Sequence, residues 1–520
     1  MIEHQRASSR SAVSMGVRMN HLDRRIVLKL LGAGSGAIAL SGTSMLSHAS
    51  AASDAAAPAN AAGRTLSQKI ADYIVGARFE DLPPAVIKKA KEVILYHLAL
   101  ALRCRHDNLP VGAQAISLAR RLSPHGGPAT LIGYRDRATP IDAAFANCTQ
   151  MRAHGLDDVI FPAGVHAGLV TIPLALALAE ELGRSGRDVL SAVILAYEVM
   201  GKLGTFTLDA PSPRRPTMAY GTFGSVIAAG RILGLTREQF VHAIGYAVHS
   251  AQGVTEGNGG DSGPTGGDSG PTPSVPSHYY SLVGRAGMIG ALAAHEGGRA
   301  SPTVMEGRFG FFETFTGSAM FDADKFIASL GQGYQIMSSV EKHYPGTAAN
   351  VVGIELLREI VKQKKLRVPH VREVRFLIPE ERRNFVEGHW AGPYTSASSA
   401  TGSGVYHMAM ILVDGQLDFR RYEQFDTPEM RAAVAKIKPS LVPGKSNIRW
   451  TRIEVDLMDG NTIAREGETY TFPPTTPHER LSAAAGDLLS REQIDRCGEL
   501  IMRLDELSAV GPMMSCLVPD

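Results

Sequence analysis

The stretch from Asn147 to Gly168, NCTQMRAHGLDDVIFPAGVHAG, holds the residues of this chain best suited to chemistry. It gathers Arg152, His154, Asp157, Asp158 and His166 between two apolar segments. Charged groups that dense beside core elements need partners, and a polar ligand in a cleft is one. His166 opens the segment GLVTIPLALALAEEL, and the start of a helix favours a neutral imidazole. A histidine ordinarily titrates near about 6.5, so it can serve as base or acid around neutrality. The spacing sets His154, Asp157 and Asp158 within little more than one helical turn. The adjacent carboxylates then point in different directions, one orienting a histidine or Arg152 while the other faces elsewhere. Arg152, Arg214 and Arg215 are fork-shaped donors suited to carboxylates. Lys342 can bind a substrate carboxylate or donate a proton, and Tyr406 offers a second donor.

Three chemistries use such groups. One is proton abstraction next to a carboxylate, which needs a base and cations to hold the enolate-like charge. A second is carboxylate binding without turnover. The third is a metal-dependent hydrolase built from His154, Asp157, Asp158 and His166, but their spacing matches no specific zinc or iron pattern.

The elements that must carry these groups are mostly helices. From Leu66 to Gly298, apolar residues recur at intervals of three and four over Ser67–Ala77, Pro84–Cys104, Gly112–Leu122, Leu169–Leu182, Arg187–Gly201, Gly221–Leu233, Arg237–Ser250 and Tyr280–His295. Several are apolar on nearly every face, which predicts buried helices in a multi-layer bundle. After Phe326 the pattern changes. Val371–Pro379, Tyr406–Val413 and Trp450–Met458 read as strands, with Asp414-Gly415 and Asp459-Gly460 as hairpin-type turns. Helices over Ala348–Gln363 and Pro428–Ile437 make this an α+β module. The expected division is a helical domain over 64–325, a smaller α+β domain over 326–474, and helices over 475–520 that rejoin the first domain. The sequence GGDSGPT occurs twice in tandem from Gly259, and its composition predicts a mobile loop over 258–277.

The chain has 520 residues, 44% of them hydrophobic, enough for a substantial core. A formal net charge of +2 points to neither nucleic acid nor a membrane surface as partner. The four cysteines show no CxxC and no zinc spacing. Asp23–Lys29 reads as a twin-arginine signature, followed by a Gly- and Ala-rich apolar run and small residues near Ala51. This predicts a cleaved export signal over 1–52, a disordered lead-in over 53–63 and a periplasmic mature protein.

Five stretches, in order, resemble the MmgE/PrpD family: NCTQMRAHGLDDV…GVHAG; AYEVMGKLG from Ala196; RRPTMAYGTFGSVIAAGRILGLTREQ from Arg214; GRAGMIGALAAHEGGRASPTVMEGRFGFFETF from Gly284; and EKHYPGTAANVVGIELL from Glu341, with YHMAMILVDGQL following from Tyr406. The resemblance implies a mainly α fold, a large all-helical domain plus a smaller α+β lid. It also implies a homodimer, no cofactor, and a lyase or isomerase moving protons next to carboxylates of a small di- or tricarboxylate. It places His166, Lys342, Tyr406, Asp158 and Asp157 in the catalytic site, with Arg152, His154, Arg215 and Tyr279 binding substrate. Gly155 and Val159 stand where the family carries Asp and Thr. Arg215 replaces its His, Tyr279 its Lys, and Ala167 the Pro after the catalytic His.

Overall fold

A computed structural model describes residues 63–208, 216–253, 275–317, 321–346, 348–383, 386–394, 397–422 and 424–520. The expected export signal over 1–52, the expected lead-in before Gly63, Arg214, Arg215 and the tandem repeat lie outside these residues.

The protein is mainly α, with a smaller α+β part. Long helices run over Leu66–Gly76, Pro84–His106, Pro110–Leu122, Pro140–Arg152, Ala167–Glu181, Gly186–Phe206, Pro216–Leu233, Arg237–Ser250 and Val275–His295. Their starts follow local chemistry. Thr65, Ser185 and Thr236 accept a hydrogen bond from the third backbone N–H of their helices and are bonded back in capping boxes. Proline opens the helices at 84, 110 and 140, where its missing N–H costs nothing.

The Pro140–Arg152 helix is one that apolar spacing does not single out, because it buries polar residues. Asn147 accepts from the Ile132 N–H at 3.0 Å and donates to the Thr130 carbonyl at 2.9 Å, and Thr149 bonds Ser281 at 2.7 Å. Satisfied in this way, they are tolerated in the interior.

Two large apolar cores form among the described residues. The first joins the helices from Leu66 through Ile336 to the C-terminal segment Leu481–Leu517. The second, from Ile354 to Val455, is built on a four-stranded sheet. The short strands of the chain are β1 (Ala129–Thr130), β2 (Arg137–Ala138), β3 (Val159–Ile160) and β4 (Ser339–Val340). The sheet of the second core comprises β5 (Val371–Pro379), β6 (Ile437–Val442), β7 (Thr451–Leu457) and β8 (Thr462–Gly467), in the order β6-β5-β7-β8. β6 runs parallel to β5, with Val374 opposite Ile437; β7 and β8 form the hairpin read at Asp459-Gly460.

One element differs in kind from its sequence reading. Tyr406–Val413 is helical, within Gly404–Asp414, not a strand. Ser403 caps it by accepting from the Tyr406 N–H, and Gly415 at φ +79° ends it, so Asp414-Gly415 is a helix terminus and not a hairpin turn. The run is apolar on all sides because it is buried on all sides, and such a run has no period to read. The strand of this region is β6, whose alternating half-exposed residues gave little signal.

In the C-terminal segment, helices over Pro477–Ala485 and Arg491–Met502 pack in the first core, and Cys497 forms a disulfide with Cys516 at a Cα separation of 5.6 Å. Cys104 and Cys148 are free and buried.

Candidate active site

The segment after Arg152 is not the helical turn its spacing suggested. The helix stops at Arg152, and Gly155, at φ +66°, bends the chain in a conformation most side chains avoid. The backbone then extends into β3, which pairs antiparallel with β4, Val159 facing Val340 and Ile160 facing Ser339. This pairing brings residues 157–160 against 339–342 across some 180 positions of sequence. A bridge between Ile160 and Val165 folds the chain back so that His166 caps the Ala167–Glu181 helix. The His166 N–H donates to Thr217 Oγ1 at 2.9 Å, anchoring that cap to the Pro216–Leu233 helix.

The two aspartates lie just before β3, outside any helix, and their carboxylates meet different partners. Asp157 is fully buried and meets Arg152 Nη1 at 2.5 Å, His166 Nδ1 at 2.6 Å and Lys342 Nζ at 4.0 Å. Burial acts to raise its pKa. Arg152, then Lys342 and His166, outweigh burial and hold the carboxyl well below its usual range. The His166 Nδ1–H donates to the main-chain oxygen of Asp158 at 2.9 Å, with the Asp157 carboxylate alongside. That bond fixes the proton on Nδ1 and leaves Nε2 as the nitrogen free to exchange a proton with a ligand. Burial, and then the Lys342 charge, lower the His166 pKa, so the imidazole is neutral at pH 7. The His166 side chain keeps 16% exposure, so the group is reachable. Arg152 lies over the Tyr280 ring at 5.3 Å, and the same ring is 5.5 Å from His166. Tyr279 is buried on the same helix, ring to ring with Tyr280 at 4.1 Å, and acts electrostatically on Arg152. The cluster thus joins His166, Asp157, Lys342, Arg152 and the Tyr279–Tyr280 pair.

Asp158, expected in the catalytic site, meets a second set of partners. Its carboxylate accepts from Tyr197 Oη at 2.9 Å, Ser339 Oγ at 2.5 Å and the Gly168 N–H at 3.2 Å, and His97 Nε2 stands at 3.2 Å. Burial would depress the His97 pKa, but the Asp158 carboxylate raises it above its ordinary value. With His97, Tyr197, Ser339 and Gly168 around it, Asp158 ties four elements together and aims its own carbonyl at His166. A methyl group on Gly168 would come within 2.2 Å of the His97 ring, so the approach requires glycine.

Two more expected site residues lie elsewhere. His154 Nε2 bonds Asp107 at 2.8 Å, which turns it toward the end of the Pro84–His106 helix. Tyr406 is buried in the second core, and its hydroxyl donates to the Arg421 carbonyl at 2.8 Å. That bond occupies the phenol within the second core. Tyr406→Phe is therefore expected to cost about 1 kcal/mol of stability and to leave turnover within about threefold of wild type; a hundredfold loss of kcat would return Tyr406 to the site. Tyr280 had a signal in the adjacent tyrosines. Tyr197 had only its place in AYEVMGKLG, and His97 had none, since a single polar residue in an apolar helix reads as core.

A half-buried imidazole beside a buried carboxylate, flanked by an ammonium and a guanidinium on a mainly helical scaffold, is an arrangement able to hold an anion and move a proton. The comparisons place the chain further. Residues 68–324 match the MmgE/PrpD N-terminal domain. Cis-aconitate decarboxylase of Aspergillus terreus is 23% identical over 487 residues, covering 87% of this chain and 96% of that protein. The human cis-aconitate decarboxylase is 24% identical, covering 87% and 95%, and the mouse protein 23%, covering 85% and 91%. The chain belongs to the MmgE/PrpD family.

Proposed function

We propose that this protein is a cofactor-independent lyase that moves a proton next to a carboxylate of a small tricarboxylate-like acid. The observation that carries this is His166, neutral and oriented through Nδ1, within reach of the cations Lys342 and Arg152. Nε2 takes or returns the proton at the carbon beside the carboxylate. Lys342 and Arg152 hold the substrate's negative charge as it spreads onto oxygen. Asp157 stays ionised and offsets part of that positive charge, keeping the imidazole in place.

Loss of carbon dioxide is favoured over loss of water by the names of the relatives, which are cis-aconitate decarboxylases. In that reaction the carbon–carboxylate bond breaks, its electron pair stays on the carbon skeleton, and a proton from the Lys342 ammonium, restored from solvent, quenches it. The alternative is a carboxylate-binding protein without turnover, favoured by Gly155 and Val159 standing where the family carries Asp and Thr. Incubation of the purified protein with cis-aconitate, citrate and 2-methylcitrate separates the two. Release of carbon dioxide or water supports the lyase. A thermal shift with these acids and no product in any of them supports the binder, since a ligand stabilises by mass action whether or not it reacts.

A further inference from the structure

Lys342 turns toward Asp157, but its neighbours Glu341 and His343 line a different space. Together with Lys89, Arg449, Phe472 and Arg480 they border a cleft of about 330 Å³, at the lower end of the roughly 300–1,000 Å³ usual for small-molecule sites. Its walls come from distant parts of the chain: the Pro84–His106 helix, the segment after β4, the turn before β7 and the strap 470–475 that leads into the C-terminal helices. Lys342 does not border it.

The charges of this cleft do not balance. Arg480 is held by Glu341 at 2.9 Å and lies over the Tyr96 ring. Lys89 and Arg449 have no carboxylate partner among the described residues; the Arg449 guanidinium instead lies over the Phe161 ring at 5.0 Å. The floor is aromatic: His343 stacks on Phe472 at 3.4 Å between centroids, with Tyr470 edge-on to Phe472 at 4.9 Å. Burial, and then Arg480, push the His343 pKa down to about 4, so near neutrality it adds a polar edge and no charge. Two unpaired cations facing a concave, partly apolar space carry an electrostatic demand that an anion satisfies.

We propose that this cleft is a second binding site, separate from the His166 site, for a small polyanion carrying phosphate or several carboxylates. Lys89 and Arg449 grip its charged groups from opposite walls, and the His343–Phe472 stack covers its apolar part. The inference is independent of the reaction assigned to His166.

Calorimetric titration tests it, with pyrophosphate and citrate as separate probes, on wild type and on the Lys89→Gln/Arg449→Gln double variant. Saturable binding of at least one probe to wild type is expected, weakened about tenfold or more in the double variant at an unchanged melting temperature. Which probe binds assigns phosphate or carboxylate. Equal binding to both proteins, or saturable binding of neither probe to wild type, overturns the proposal. Should the double variant melt early, a wild-type crystal soaked in tungstate decides by anomalous scattering. Tungstate between Lys89 and Arg449 supports the site, and its absence from the cleft overturns it.

Discussion

Replacing His166 by alanine is expected to lower kcat by about 10²–10⁴-fold, with the melting temperature nearly unchanged. Lys342→Ala should cost at least about a hundredfold. The reasoning is geometric. The imidazole hangs from a helix cap whose backbone is held by Thr217 and by β3–β4 pairing, so removing the ring leaves the scaffold standing. The ring is also 16% exposed, and its truncation opens no closed core cavity. What disappears is the proton carrier.

The same residue sets the pH profile. Because burial and Lys342 lower its pKa, kcat/KM should fall as pH drops through an inflection below 6.5, the neutral base being lost by protonation. Near-normal turnover of both variants on a substrate that wild type converts would remove this mechanism.

Asp158→Asn is expected to act on stability first, lowering it by about 3–5 kcal/mol, a large share of the roughly 5–15 kcal/mol that holds a typical domain. One side-chain carboxylate is met by Tyr197, Ser339, the Gly168 N–H and His97, all at a fully buried position. An amide cannot accept from all of these partners. Its NH₂ would face donors, and His97 would lose the charge opposite it.

The pH dependence has a definite sign. Although burial opposes it, the bonds from His97, Ser339 and Tyr197 lower the Asp158 pKa. Asp158 therefore contributes stability above about pH 4 that is lost as pH falls through the depressed folded value. His97 has a raised pKa, so it contributes below about pH 6.5 and is lost as pH rises through its folded value. Both contributions should vanish in the asparagine variant. Denaturant titrations at several pH values read them, and wild-type stability in Asp158→Asn would show that the carboxylate is not what joins these elements.

His166 illustrates how far a local pattern reaches. Its place at the mouth of an apolar helix is written in GVHAGLVTIPLALALAEEL, and so is its exposure to a helix terminus. The identity of its partners is not. Asp157 and Asp158 are equivalent in one dimension. Their division of labour arises because the helix ends at Arg152 and the chain turns at Gly155 before β3 pairs with β4, which puts the two carboxylates among different partners. Tyr406 shows the opposite failure. Apart from His407 its segment is apolar, and the same letters serve a buried strand or a buried helix. The Ser403 cap and Gly415 end decided for the helix, and the Arg421 carbonyl took the hydroxyl.

By itself the sequence determined the mainly helical character, the shift to an α+β part with strands read at Val371–Pro379 and Trp450–Met458, and the family. Each is a property of period, composition or ordered motifs and survives without knowledge of contacts. Tertiary structure alone decided that Lys342 reaches Asp157, that His97, Tyr197 and Ser339 enclose Asp158, and that His154 belongs to Asp107. The physical reason is that these are pairings of buried charges between residues far apart along the chain. A buried charge chooses its partner by distance and desolvation, quantities that exist only once β3 lies against β4 and the helices have packed.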